Sequence, residues 1–146
     1  MKRDKTRRWL TPLMVVAALM AALPVAAQSE AKDIDKWTLN DSFGQNGANI
    51  TIDGYSQWDG QSMQNYTANS AGEIEIRNAA QLARYAWEIN KYDSDKILRS
   101  KNVHLLCDID LGGYYFSITR SNIYGIQATF DGHGHTIRNG YALKSS

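Results

Sequence analysis

Asp108-Ile109-Asp110-Leu111, followed about twenty residues later by Thr129-Phe130-Asp131-Gly132-His133-Gly134-His135-Thr136-Ile137, decides how this chain is read. Both stretches are short alternating strands that run into Asp/Gly corners. Their spacing suits the stacked turns of a parallel β-coil better than a meander of tight hairpins. Upstream, Val103, Leu105, Cys107, Ile109 and Leu111 alternate with His104, Leu106, Asp108 and Asp110. Period two sends the first set to one face of a strand and the second to the other. Gly112-Gly113 ends that run, and weaker alternations follow at Phe116/Ile118 and at Ile126/Ala128/Phe130.

Before these strands lies the clearest helix. Asn78 can cap it, because its side-chain oxygen can accept a bond from an unpaired first-turn N–H. Gln81, three residues on, makes a capping-box-like pair. Leu82, Tyr85, Ala86 and Ile89 form one apolar stripe, and Asn90-Lys91 ends the element. A helix this short is not stable alone, so its apolar face must lie on the strands. Gly72-Glu73-Ile74-Glu75-Ile76 reads as a strand leading into it, and Ala48-Asn49-Ile50-Thr51-Ile52 as another, closed by Asp53-Gly54.

Residues 1–27 read as an export signal. Lys2, Arg3, Lys5, Arg7 and Arg8 form a basic start, and Leu13 to Leu23 is apolar and uncharged. That stretch is about half a bilayer span, so no transmembrane anchor is expected after cleavage. Pro24 and Val25-Ala26-Ala27 supply a cleavage site before Gln28. Thr6-Arg7-Arg8-Trp9-Leu10 partly matches a twin-arginine signal; an ordinary basic n-region is the plainer reading. The leader carries five of the 16 basic and one of the 15 acidic residues, leaving 11 against 14 and a net charge of −3. Nucleic acid is therefore not an expected partner, since phosphate binding needs clustered Lys and Arg. With Cys107 as the single cysteine, no intramolecular disulfide can form, and the core must hold by burial.

Residues 28–56 are polar and turn-rich and read as a flexible lead-in. Residues 57–146 read as the folded part. Four groups in it have chemistry worth weighing. Asp131, His133 and His135 are metal-ligating types, but the interleaved Gly132 and Gly134 fit a sharp corner, His104 lies on another strand, and no metal site is expected. Asp108 and Asp110 share a strand face and could bind calcium or act as acid and base. Too few coils are present to build a catalytic groove around them, so they are expected to bond the backbone of the next turn. Cys107 among aliphatic neighbours reads as an inert buried thiol. Among four Trp, eight Tyr and three Phe, the side chains to watch for glycan contact are Trp58, Tyr66, Tyr114 and Tyr115, with packing under the loops the plainer reading.

At these residues the chain resembles the opening of bacterial surface proteins built on a right-handed parallel β-helix, including those with GLUG repeats and pectin-lyase-like leaders. The resemblance rests on Trp58-Asp59-Gly60, Ile74 and Ile76, Leu82-Ala83-Arg84-Tyr85-Ala86 with Asn90, Asp108 to Leu111, and Phe130 to Ile137. It covers about residues 57–140. Departures are Tyr115 to Thr119 in place of a Trp-x-Pro-Ile-Gly element, Ala128 for Gly and His133 for Asn; the glycine-rich repeats expected after Ile137 are absent.

The fold class expected is mainly β: the start of a right-handed parallel β-helix with one short capping α-helix. The resemblance implies a non-catalytic, exported surface or secreted module, the N-terminal part of an adhesin-like or glycan-binding protein, without cofactor. Periplasm, cell surface and exterior all remain open. The expected partners are a glycan or a surface protein, with self-association through an open last coil containing Ile126, Phe130, Ile137 and Leu143. Alternatives are a remnant of a polysaccharide-processing β-helix enzyme, or a truncated gene product with no function of its own.

Overall fold

The computed structural model describes residues 34–45, 51–91, 96–118 and 126–141. The export signal, the Ala48-Asn49-Ile50 part of the first strand, and Leu143 lie outside the described residues. The described residues are mainly β with one helix of substance. In order come a single 3-10 turn (Ile34–Lys36), β1 (Thr38–Leu39), β2 (Thr51–Ile52), β3 (Tyr55–Gln57), β4 (Ser62–Met63), β5 (Thr67–Ala68) and β6 (Ile74–Ile76). Then follow α1 (Ala79–Lys91), a short α2 (Lys96–Arg99), β7 (Val103–Leu105), β8 (Asp108–Asp110), β9 (Phe130–Asp131) and β10 (Ile137–Arg138).

Among the described residues the strands form three small sheets, two of mixed direction and one a parallel pair. One has the order β10-β8-β3-β2, one β5-β6-β7-β9, and the third is the pair β1-β4. Two pairings are antiparallel, β2 with β3 and β5 with β6. The others are parallel: β1 with β4, β3 with β8, β8 with β10, β6 with β7 and β7 with β9. Asp53 and Gly54 turn the β2–β3 hairpin with φ of 53° and 82°, the paired left-handed geometry that a two-residue hairpin demands.

The alternation from Val103 to Leu111 is one continuous pattern in sequence, yet it is split between β7 and β8. The chain turns a corner at Leu106-Cys107, where the Leu106 N–H donates to the Ile76 carbonyl at 2.8 Å. Parity survives the corner, so Val103, Leu105, Ile109 and Leu111 are all buried. In register, Ile74, Val103 and Phe130 stack on the inner side, while Glu75, His104 and Asp131 stack on the outer side.

α1 forms where its cap places it. Asn78 Oδ1 accepts the Gln81 N–H at 2.9 Å, and Gln81 Oε1 returns a bond to the Arg77 N–H at 2.7 Å. Leu82, Tyr85, Ala86 and Ile89 are buried as the stripe requires, together with Ala79, Ala80 and Ala83. The small residues let the helix sit close to β4 and β6, and the Gln64 N–H reaches the Ala80 carbonyl at 3.0 Å.

The lead-in expected over residues 28–56 needs correction. Ile34, Trp37 and Phe43 belong to the buried core, and β1 to β3 include residues of this segment. Trp37 packs on Trp58 and Phe116 with centroids 5.0 and 5.9 Å away. Polar composition suggested a tail because the apolar residues there are few and widely spaced. Ile34, Trp37 and Phe43 nevertheless bury their side chains, while Leu39 stays exposed.

Candidate functional site

The outer side of β7 and β9 carries the one group, among the described residues, of three His, Cys, Asp or Glu side chains close enough to share a metal ion. His104 is on β7 and Asp131 is its register partner on β9. His133 follows on the corner, with φ of 48° and its backbone N–H bonded to Asp131 Oδ1 at 2.9 Å. His104 Nδ1 lies 2.8 Å from His133 Nε2, and His133 Nε2 lies 3.5 Å from Asp131 Oδ2. One ligand atom from each of the three residues falls within 4.8 Å of the others.

Glu73 completes the group from the other side of His104. Its Oε2 meets His104 Nε2 at 2.9 Å. It also accepts bonds from Asn102 Nδ2 at 2.8 Å and Asn69 Nδ2 at 3.0 Å. Those amide bonds, with His104 after them, hold the Glu73 carboxyl down at about 2. An ionised carboxylate can only accept, so the shared proton belongs on His104 Nε2. Nδ1 then presents its lone pair to His133.

The sequence reading did not join these residues. Adjacent His133 and His135 drew attention there, but they part in the fold. His135 Nδ1 turns to Asp108 Oδ1 at 3.2 Å, while His133 meets a histidine 29 residues earlier. The available signal was parity: His104 and Asp131 both occupy the outward phase of strands one rung apart.

Asp108 and Asp110 bond the following rung. Asp108 Oδ1 accepts the Thr136 N–H at 2.8 Å, and this bond chiefly keeps its carboxyl low. Asp110 is only 4% exposed. Its Oδ1 accepts the Gly112 N–H at 2.8 Å, and its Oδ2 accepts Arg138 Nε at 2.8 Å and Asn139 Nδ2 at 2.9 Å. Burial alone would raise the Asp110 carboxyl, but these bonds outweigh it and the net shift is downward. Arg138 also lies over the Tyr55 ring, 3.7 Å from its centroid. Cys107 is half-buried, and burial pushes its thiol up to about 11.

The aromatics singled out for glycan contact divide. Trp58 is 3% exposed; it packs against Trp37, Tyr114 and Phe116 and donates its Nε1–H to the Ser62 carbonyl at 3.0 Å. Its ring is core and cannot stack on a sugar, which corrects that assignment. Tyr66 is half-buried, with its hydroxyl on Glu88. Tyr114 is half-buried over two glycines. A Cβ at Gly60 would come within 2.6 Å of the Tyr114 ring, and one at Gly112 within 3.1 Å. Tyr115 forms a parallel bridge with Tyr141, which is 50% exposed. Directly opposed residues leave a ladder on the same side, so the exposed Tyr141 stands beside the half-buried Tyr115.

No helix among the described residues is long and apolar enough to cross a membrane. No family model, curated protein or solved structure matches the chain.

Proposed function

We propose that this chain is a non-catalytic, exported interaction module built on the cap and first rungs of a right-handed parallel β-helix, and that it contacts glycans. The observation that supports this reading is the even spacing of bonds across one step, from the segment of β7 and β8 to that of β9 and β10. Asn102 to Thr129 spans 27 residues, Asp108 to Thr136 spans 28, and Asp110 to Asn139 spans 29. A constant interval between parallel, in-register strands is what stacked coils produce. α1, packed on β4 and β6, suits the role of an end cover. β9 and β10 are outer strands of their sheets, so a further rung, or a partner's strand, has a template to pair with.

Export rests on the leader-like residues 1–27, and glycan contact on Tyr115 and Tyr141. Mass spectrometry of protein recovered from the exported fraction should find an amino terminus at Gln28. An array of bacterial and host polysaccharides, probed with the purified protein, should give saturable binding. Tyr115→Ala and Tyr141→Ala should weaken it with unchanged circular dichroism. Binding to no polysaccharide, or binding indifferent to both tyrosines, would remove glycan recognition from the proposal.

A further inference from the structure

The geometry points to a transition-metal site of the zinc class formed by His104 Nδ1, His133 Nε2 and Asp131 Oδ2, with Glu73 as the carboxylate that orients His104. Two imidazole nitrogens and one carboxylate oxygen are the donor set that zinc accepts, leaving a fourth tetrahedral position toward solvent. The two nitrogens face each other at 2.8 Å, close enough to share one proton. Zinc–nitrogen bonds of about 2.0–2.1 Å in a tetrahedron separate such nitrogens by roughly 3.3 Å. Replacing the proton by the metal therefore requires an opening of roughly half an ångström. Both side chains stand on the outer side of the sheet, and His133 is on a corner, so such a movement disturbs no core contact.

The surroundings of the ligands are arranged as a metal site needs them. Asp131 uses Oδ1 on the His133 backbone, which leaves Oδ2 for a metal. Glu73 takes the Nε2–H of His104, selecting the tautomer whose Nδ1 can ligate, and is itself held by Asn69 and Asn102. Asn102 extends the network to the next rung, its Oδ1 accepting the Thr129 N–H at 3.1 Å. The metal would thus tie β7 to the corner after β9, across the 29 residues that separate the two histidines. This inference does not rest on the glycan reading.

The test is calorimetric titration of the purified protein, carrying no polyhistidine tag, with zinc chloride. Wild type should bind one zinc and gain thermal stability with it. His133→Asn removes a ligand while keeping a residue type that tolerates positive φ. Asp131→Asn keeps the bond to the His133 N–H but removes the anionic donor. Both should abolish saturable binding while leaving the circular dichroism spectrum unchanged. Glu73→Gln should weaken binding by about 10–100-fold, as loss of an orienting carboxylate does. His135→Ala, which alters the neighbouring histidine bonded to Asp108, should leave affinity unchanged. The proposal is overturned if wild type takes up no zinc, or if binding survives intact in His133→Asn.

Discussion

Replacing Asp110 by alanine should cost this fold more than any other single change to its polar groups. Asp110 is nearly buried and accepts bonds from its own corner at Gly112, from the next rung at Arg138 and Asn139, and from Gln57 on β3. A bond to a charged group contributes about 1.5–3 kcal/mol net, so a simple sum would exceed 4 kcal/mol. That sum is too large. Arg138 and Asn139 retain enough exposure to turn toward water once the carboxylate is gone. The half-buried Gly112 N–H has less freedom, and stranding it costs about 1–3 kcal/mol. With loss of the tether between rungs, the expected destabilisation is about 2–3 kcal/mol. In a small domain that lowers the melting temperature by roughly 10–20 °C. Asp110→Asn, which keeps an acceptor for Gly112, should lose clearly less. Urea unfolding followed by circular dichroism gives both values. A loss under about 1 kcal/mol for Asp110→Ala, with an unchanged denaturant slope, would refute the view that this carboxylate clamps the rungs.

Further outcomes follow from the same coordinates. Trp58→Ala removes the centre of the Trp37–Trp58–Phe116 cluster and should cost about 3–5 kcal/mol, enough to abolish a cooperative melt in a marginal domain; a stable, cooperative variant would contradict its central place. Asp108 and Asp110 are both held below the usual carboxylate range, so the stability they confer is complete above about pH 4 and is lost as pH falls through their folded-state values. Melting temperatures measured from pH 6 down to pH 2 should drop on the acid side, and Asp110→Ala should flatten that drop. Cys107, raised from 9.0 to about 11, holds about a hundredfold less thiolate at neutral pH than an unperturbed thiol, and its labelling by a disulfide reagent should be slowed accordingly until urea unfolds the chain.

Much of the local structure was legible in the residues themselves. Period-two alternation marked the inward faces of β7 and β8. Asn78 with Gln81 marked the start of α1, and Asp53-Gly54 marked a turn. These are short-range properties, set by backbone geometry and by bonds between near neighbours. Parity placed Asp108 and Asp110 on one outward face; Asp108 does bond the next rung's backbone at Thr136, whereas Asp110 is buried and reaches the side chains of Arg138 and Asn139.

What only the tertiary structure decided was which distant segments meet. For Trp58, in a loop-like polar stretch, sequence leaves both glycan contact and packing open, and Trp37 and Phe116 decide it by closing over the ring from segments that composition separates. The polar residues around Trp37 and Phe43 suggest a tail, yet in a small domain, where core is scarce, Ile34, Trp37 and Phe43 are drawn into it. His133 and His135 are neighbours in sequence and take different partners in space, because the corner between them sends one toward β7 and the other toward β8. The meeting of His104 with His133, 29 residues apart, depends on the parallel register of β7 with β9, which pairs His104 with Asp131. Such register is a property of packed rungs and has no local signature: hydrophobic parity fixes which side a residue faces, while only pairing between strands fixes what it faces there.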